Sequence, residues 1–466
     1  MCKRLIASTA MIVLLAACGG GGSSSFAPAG STSGGNSGGP AGSQTPVQSQ
    51  AGGKITHVII VIQENRTFDN MFNGYPGSDT VTQGLDHNGN EVPLVARPMT
   101  DPYDPSHTYQ SLLQEYDNGK MDGFDLNPVN LTVAGGTGPT PADYVYGYVP
   151  QSESMIYWQL AGGYAISDRM FSTEMAPSFP GHMTLIGGQS SRIIGDPENA
   201  TNPDVNFVWG CDSPAGSTVD VLSTSNQVES GAGSPCTDFL TLGDMADQKG
   251  ITWKYYSGLT NGLDLDGAVS IYDAISHIRY GPDWSKDVPQ TPSREFQIFT
   301  DIQNNALPQI AWLTPPSETS DHAGDGTAYG PDWVAQLVQA VESSKTYAGN
   351  TAIIVTWDDS GGWYDHVVPP SFNGLNYGMR VPIIVISPYT KQGYVSHATH
   401  DFGSILHFTE NVFGLGCLSQ IDCGADDLSD MFNFATARPF TLVLQPALTL
   451  QQIEGLTSTQ PVDDDK

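Results

Sequence analysis

Three acids and an amide stand where two strongly apolar runs break off. "HVIIVIQEN" (57–65) ends on Glu64 and Asn65, and "TAIIVTWDDSGGWYDHV" (351–367) reaches Asp358 and Asp359 before a Gly pair that lets the chain turn sharply. If the two ends meet, three carboxylates and a carboxamide repel one another unless a cation sits among them. Oxygen ligands of this kind suit a hard divalent ion. The plainer alternative is capping: Glu64 would cap a helix starting at "RTFDNMF", and Asp358 and Asp359 would cap a turn. Either pair alone favours capping; the two together favour metal.

A third stretch, "SDRMFSTEMAPSFPGHMTLIGGQ" (167–189), holds a candidate nucleophile. Ser178 lies between Pro177 and Phe179-Pro180, just before a helix expected to begin near Gly181. Unsatisfied N–H groups and the positive end of the helix dipole favour a bound or covalent phosphate there. Coordination to a metal would lower the hydroxyl pKa. Taken alone, such a serine is more often an N-cap. His182, four residues on, shares its helix face and either orients the nucleophile or packs.

These residues need a rigid frame. The runs 57–63, 251–257, 309–315, 351–357 and 381–387 are rich in β-branched residues and lack polar alternation, the pattern of strands buried on both faces of a parallel sheet. Between two of them, residues 330–345 place Trp333, Leu337, Ala340 and Val341 at helical spacing, which makes a strand-helix-strand unit. The expectation is a doubly wound α/β fold with a mainly parallel central sheet and helices on both faces, in one large domain with insertions. Ligands in such sheets bind at the carboxyl ends of the strands.

The N-terminal 17 residues have a basic start, an apolar stretch and small residues, the layout of a secretory signal too short to span a membrane. Leu15-Ala16-Ala17-Cys18 resembles the bacterial lipobox, which implies lipidation at Cys18. The rest of 18–53 is a Gly/Ser-rich tether that buries too little to order itself, and 54–466 is the expected catalytic domain. Location is therefore expected to be the cell envelope, periplasmic or at the surface, with membrane contact through the anchor. With 49 acidic and 18 basic side chains the formal charge is −31, which argues against nucleic acid as a partner. Cys211, Cys236, Cys417 and Cys423 suggest disulfides in an exported protein, and sequence proximity makes 211–236 with 417–423 the simplest of three pairings.

"QENRTFDNMF", "GKMDGF" (119–124), "PSFPGH", "SDH" (320–322) and "DDSGGWYDHV" occur in an order that resembles the bacterial phosphoesterase family of acid phosphatases and phospholipases C, a branch of the alkaline-phosphatase-like superfamily. The resemblance runs from about 55 to about 415. It implies that Glu64, Asn65, Ser178, Asp358 and Asp359 hold a divalent metal, of open identity and number, and that Ser178 is the nucleophile. It implies that His107 and His322 bind phosphate or protonate the leaving group. Lys120 and Asp122 would line the pocket, Lys120 touching phosphate, and Asp365 and His366 would support the metal ligands. Capping for His107 and a solvated surface for Lys120 are the plainer readings. His397, His400 and His407, near a late helix, read as structural.

Phospholipase members of the family tend to carry Thr at the nucleophile position and to add C-terminal domains, so Ser178 and the expected end of the chain point to an acid phosphatase acting on monoesters through a phosphoserine. A phospholipase C or other phosphodiesterase with the same machinery is the alternative. A non-catalytic envelope lipoprotein is a third reading. The substrate partner is a small phosphate ester, and oligomeric state is left open.

Overall fold

The structure is a computed structural model that describes residues 51–132, 143–201, 208–257, 270–289, 294–315, 317–372, 375–439 and 442–456. The expected signal peptide, Cys18 and nearly all of the tether lie outside the described residues. These residues belong to one compact unit, Thr45–Lys466, and Ala51 is already buried in its core.

Seven strands form the main sheet: β1 (His57–Gln63), β2 (Ala165–Ser167), β3 (Trp253–Ser257), β4 (Ile310–Thr314), β5 (Thr351–Trp357), β6 (Ile383–Ile386) and β7 (Tyr394–Ser396). Their order is β3-β4-β1-β5-β6-β2-β7. β1 runs parallel to both β4 and β5, β3 to β4, and β7 to β2. Only β6 is reversed, pairing antiparallel with β5 and β2. The run at 381–387 is thus a buried strand as expected, but not a parallel one. Parallel neighbours need a crossover, usually a helix. Between β5 and β6 the described residues hold the acidic loop and the hairpin Ser371–Phe372/Leu375–Asn376, with no helix, so the chain re-enters the sheet from the end at which it left.

Both faces of the sheet are covered. Ile60 is in register with Trp312, whose Nε1 donates to Leu185 O in α4 (Ser178–Gly187). Gln63, on the opposite face, donates to Tyr157 Oη at 2.7 Å in α3 (Gln151–Gly163). Every residue of β5 is buried, and Val58 to Ile62 are fully so. At about 1.5–3 kcal/mol per buried side chain, these runs are strongly held in the core. The expected helix at 330–345 is α5 (Gly330–Ser343), opened by Pro331 in its first turn. Cys211–Cys236 and Cys417–Cys423 are the disulfides. No helix among the described residues is long and apolar enough to cross a membrane.

Candidate active site

Register brings the two acidic ends together. Gln63 pairs with Trp357 at the last positions of β1 and β5, and Asp358 N–H donates to Gln63 O at 3.0 Å, so Glu64-Asn65 and Asp358-Asp359 leave the sheet side by side. Asn65 is left-handed (φ 60), a conformation Asn tolerates. Its N–H donates to Asp358 Oδ1 at 3.1 Å. Gly361 and Gly362 have φ 59 and 66, and a Cβ on them would come within 2.3 Å of Asn65 O and 2.5 Å of Ser106 O. Only glycine lets the loop after Asp359 fold this closely over Asn65.

Capping does not account for the acids. The helix after β1, α1 (Phe68–Met71), is capped by Thr67, not Glu64. Asp359 Oδ1 does accept Gly361 N–H at 2.6 Å, a turn contact, but its Oδ2 faces Ser178. Ser178 is the first residue of α4, whose N-cap is Pro177, rather than lying before a helix that starts at Gly181. Its hydroxyl reaches Asp359 Oδ2 at 3.1 Å and Asn65 Oδ1 at 3.3 Å. Four residues on, His182 Nε2 lies 3.3 Å from Glu64 Oε1 and 3.4 Å from Asp358 Oδ2. Glu64, His182 and Asp358 therefore offer ligand atoms to one point. The spacing from Ser178 already puts His182 on the same helix face; its partners Glu64 and Asp358 come from other elements, so the fold is needed to show that it meets them.

The orientation of Asn65 tests the fit to a cation. His107 Nδ1 is 2.9 Å from Pro105 O and His322 Nδ1 is 2.7 Å from Ala323 O. A proton on each Nδ1 satisfies those carbonyls and leaves Nε2 as an acceptor. Asn65 Nδ2 lies 2.9 Å from His107 Nε2 and 3.0 Å from His322 Nε2, so the amide donates to both rings. Its Oδ1 must then face Asp358 Oδ1 at 3.0 Å and Glu64 Oε2 at 3.2 Å, oxygen against oxygen. Oxygens about 3.0 Å apart are the adjacent ligands of an ion bound at about 2.1 Å. The reversed amide would instead require both rings to carry a proton on Nε2. Glu64, Asn65, Ser178, Asp358 and His182 fit a small divalent ion. Burial opposes a charged His182, yet Asp358 and Glu64 raise it above its ordinary range; an ion bound at Nε2 would take the place of that proton. Burial likewise raises Asp358, but His182 and the Ser178 hydroxyl hold it below.

A loop anchored elsewhere presents His322. Asp321 is left-handed (φ 76), and its Oδ2 takes donors from Tyr157 Oη (2.7 Å), Gln63 Nε2 and Trp357 Nε1 (both 3.2 Å). Arg66, buried over Trp363, donates from Nε to Asp321 O at 2.8 Å. The sequence reading left out both Arg66 and Asp321, although each stands inside a quoted motif. His107 precedes the cap of α2 (Tyr109–Tyr116), which is Thr108.

A model of the Phosphoesterase family matches residues 55–416. The chain belongs to that family. It is 23% identical over 440 residues to a non-hemolytic phospholipase C of Pseudomonas aeruginosa, covering 82% of this chain and 57% of that protein. It is 24% identical over 436 residues to phospholipase C A of Mycobacterium tuberculosis, covering 82% and 78%. The chain spans less than two thirds of the length of the non-hemolytic phospholipase. It is also similar to a protein of the alkaline phosphatase superfamily from Vibrio parahaemolyticus, at 12% identity and a TM-score of 0.37 over 82% of this chain and 71% of that one.

Four expected members of this phosphoesterase's site stand apart from Ser178. Lys120 is exposed and paired with Asp117 on the turn after α2, and Asp122 interacts with Asp117 and Lys120 in that same turn. "GKMDGF" builds a turn, with Gly119 and Met121 both at positive φ, so Lys120 is not among the groups gathered around Ser178. Asp365 and His366 form a separate buried network. Asp365 Oδ2 accepts Arg380 Nε at 3.0 Å and the N–H of Asp69, and His366 Nδ1 is 2.6 Å from Asp69 Oδ2. They hold α1 against the loop after β5 and do not touch Ser178.

Proposed function

We propose that this chain is a metal-dependent phosphatase that hydrolyses phosphate monoesters through Ser178, the activity expected of an acid phosphatase. One observation carries the reading: a buried serine at a helix N-terminus reaches Asn65 and Asp359 where Glu64, Asp358 and His182 converge. A bound divalent ion would lower the pKa of the Ser178 hydroxyl and offset charge on the phosphoryl oxygens. Ser178 Oγ attacks phosphorus in line, its proton passing to Asp359 Oδ2, and the bond to the leaving oxygen breaks. Water then attacks the phosphoserine in line; the P–Oγ bond breaks, Asp359 returns its proton to Oγ, and the proton lost by the water goes to the histidine that gave one to the leaving alkoxide. His107 and His322 lie across the Asn65 carboxamide from Glu64 and Asp358, and with Nδ1–H bonded to Pro105 O and Ala323 O each has Nε2 as the atom that must first take up a proton before it can deliver one to the leaving alkoxide.

The monoester reading is supported by the residue type at position 178, a serine where phospholipase members of the family tend to carry Thr. A second reading, diester cleavage as by a phospholipase C, is favoured by the names of the relatives. Comparing kcat/KM for an aryl phosphate monoester, the matched diester and phosphatidylcholine decides between them. The monoester is expected to lead by at least about 100-fold, about 2.7 kcal/mol of transition-state discrimination. Faster turnover of the diester or of phosphatidylcholine overturns the choice.

We also infer a lipid anchor at Cys18 in the cell envelope, supported by the sequence pattern before it. Labelled palmitate should follow the wild-type protein and not Cys18→Ser; a wild type that takes up no label refutes the anchor.

A further inference from the structure

The His182 ring has two polar ends, and only one of them faces the acids. Nε2 lies 3.3 Å from Glu64 Oε1 and 3.4 Å from Asp358 Oδ2. Nδ1 points the other way and lies 3.5 Å from Tyr255 Oη, its one hydrogen-bond partner among the described residues. Tyr255 Oη in turn lies 2.9 Å from Thr314 Oγ1. All three side chains are buried, Tyr255 and Thr314 completely.

Tyr255 reaches this point by register. It belongs to β3, at the edge of the sheet and two strands away from β1, so position alone does not bring it to the acidic rim. It pairs with Trp312 of β4, and paired residues of a parallel ladder share a face. Trp312 donates to Leu185 O of α4, so that face is the one α4 covers. Thr314, two residues further along β4, shares it as well. The Tyr255 ring is set edge-on against Tyr272 at 5.5 Å, which fixes where its hydroxyl points.

A histidine that offers Nε2 to a cation carries its ring proton on Nδ1 and needs an acceptor for it. Tyr255 Oη is that acceptor, and it passes its own proton on to Thr314 Oγ1. Burial keeps the phenol protonated, so it can serve as acceptor and donor at once. The opposite order, Thr314 donating to Tyr255 and Tyr255 to Nδ1, would leave the ring proton of a neutral His182 on Nε2, with no lone pair for an ion.

We propose that Tyr255 is a positioning residue for the metal: it accepts the Nδ1 proton of His182, turns Nε2 towards Glu64 and Asp358, and is itself held by Thr314. The inference rests on the metal-dependent reading above and adds β3 to the elements that build the site. A phenol that merely met its own hydrogen-bonding need would be satisfied by Thr314 alone, so the two roles differ when metal is titrated.

The test uses zinc as the probe, titrated by calorimetry into the full chain after chelation and gel filtration. The equivalent in question is the one that Asp358→Ala loses. Tyr255→Phe keeps the ring and deletes one oxygen; it is expected to weaken that equivalent by at least about tenfold, the usual scale for the outer partner of a metal-bound histidine. Added to His182→Ala it should change affinity by less than about twofold, because Tyr255 acts through that ring. Equal affinity in wild type and Tyr255→Phe, or a tenfold loss that persists in the His182→Ala background, overturns the inference. Nitrogen resonances of histidine-labelled, zinc-loaded wild type read the same point without altering Tyr255: His182, assigned by its absence from His182→Ala, must carry its proton on Nδ1, and a proton on Nε2 refutes the role. A wild type that binds no zinc, or whose zinc is indifferent to Asp358→Ala, refutes instead the metal reading itself, and the inference with it.

Discussion

The Ser178 hydroxyl donates to Asp359 Oδ2 at 3.1 Å from the first residue of a buried helix. A serine placed to cap its helix would turn its oxygen back onto the N–H groups of the first turn; this one turns away, towards carboxylates. Both partners come from buried backbone ends, so little reorganisation separates the resting contact from attack.

Ser178→Ala is expected to reduce turnover of an aryl phosphate by at least about 1,000-fold, with melting temperature nearly unchanged, because it deletes one small, reactive atom. Lys120→Ala serves as its contrast and should stay within about twofold of wild type, as an exposed ion pair contributes little. Normal turnover by the Ser178 variant would unseat the nucleophile, and a large loss in the Lys120 variant would restore that lysine to the site.

Metal content should follow the converging ligands. Chelation is expected to abolish turnover, and Asp358→Ala or His182→Ala to lower the metal retained after gel filtration, by at least tenfold in affinity. Full activity at zero bound metal would dismiss the whole arrangement. Retention of metal by His182→Ala would return that histidine to a packing role.

Stability should fall as pH rises, through Glu410. Burial, and then Asp422, push this carboxyl up to about 9 from an ordinary 4.5. The folded chain keeps a proton that the unfolded chain releases, so the stabilisation is complete below about pH 4.5 and is lost as pH rises towards about 9. Glu410→Gln cannot ionise and should flatten the decline in melting temperature over that range. An equally steep decline in the variant would place the dependence elsewhere.

How far the sequence reveals this arrangement depends on what each signal measures. β1 and β5 are legible to the residue because burial on both faces demands unbroken apolar runs, and the acids after them stand out for the same reason. The direction of β6 is not legible, since it depends on whether a crossover lies between two runs and not on either run itself. β2 and β7, of three residues each, are too short for any period to show. His182 was visible as a neighbour of Ser178 on one helix face, yet its partners Glu64 and Asp358 come from other elements, and only the fold shows that it meets them. Lys120 shows the converse case: its motif names a charged residue, but the sequence left contact with phosphate and a solvated surface both open, and only the structure shows that the glycines and positive φ angles of that motif make a turn with Lys120 exposed on it.

The placing of β1 inside the sheet, between β4 and the central strand β5, has a consequence for how the molecule comes to life. Ser178 and Asp359 are 181 positions apart, and Asn65 and Asp358 are 293 apart. Loops of this length must close before their contacts give anything back, which makes such topologies slow to form. Ser178, Asn65, Asp358 and Asp359 therefore meet only once β5 has docked beside β1. Turnover thus reports a completed chain topology: a molecule that has folded everything except β5 holds its serine and its first acids ready, and has no reaction to offer.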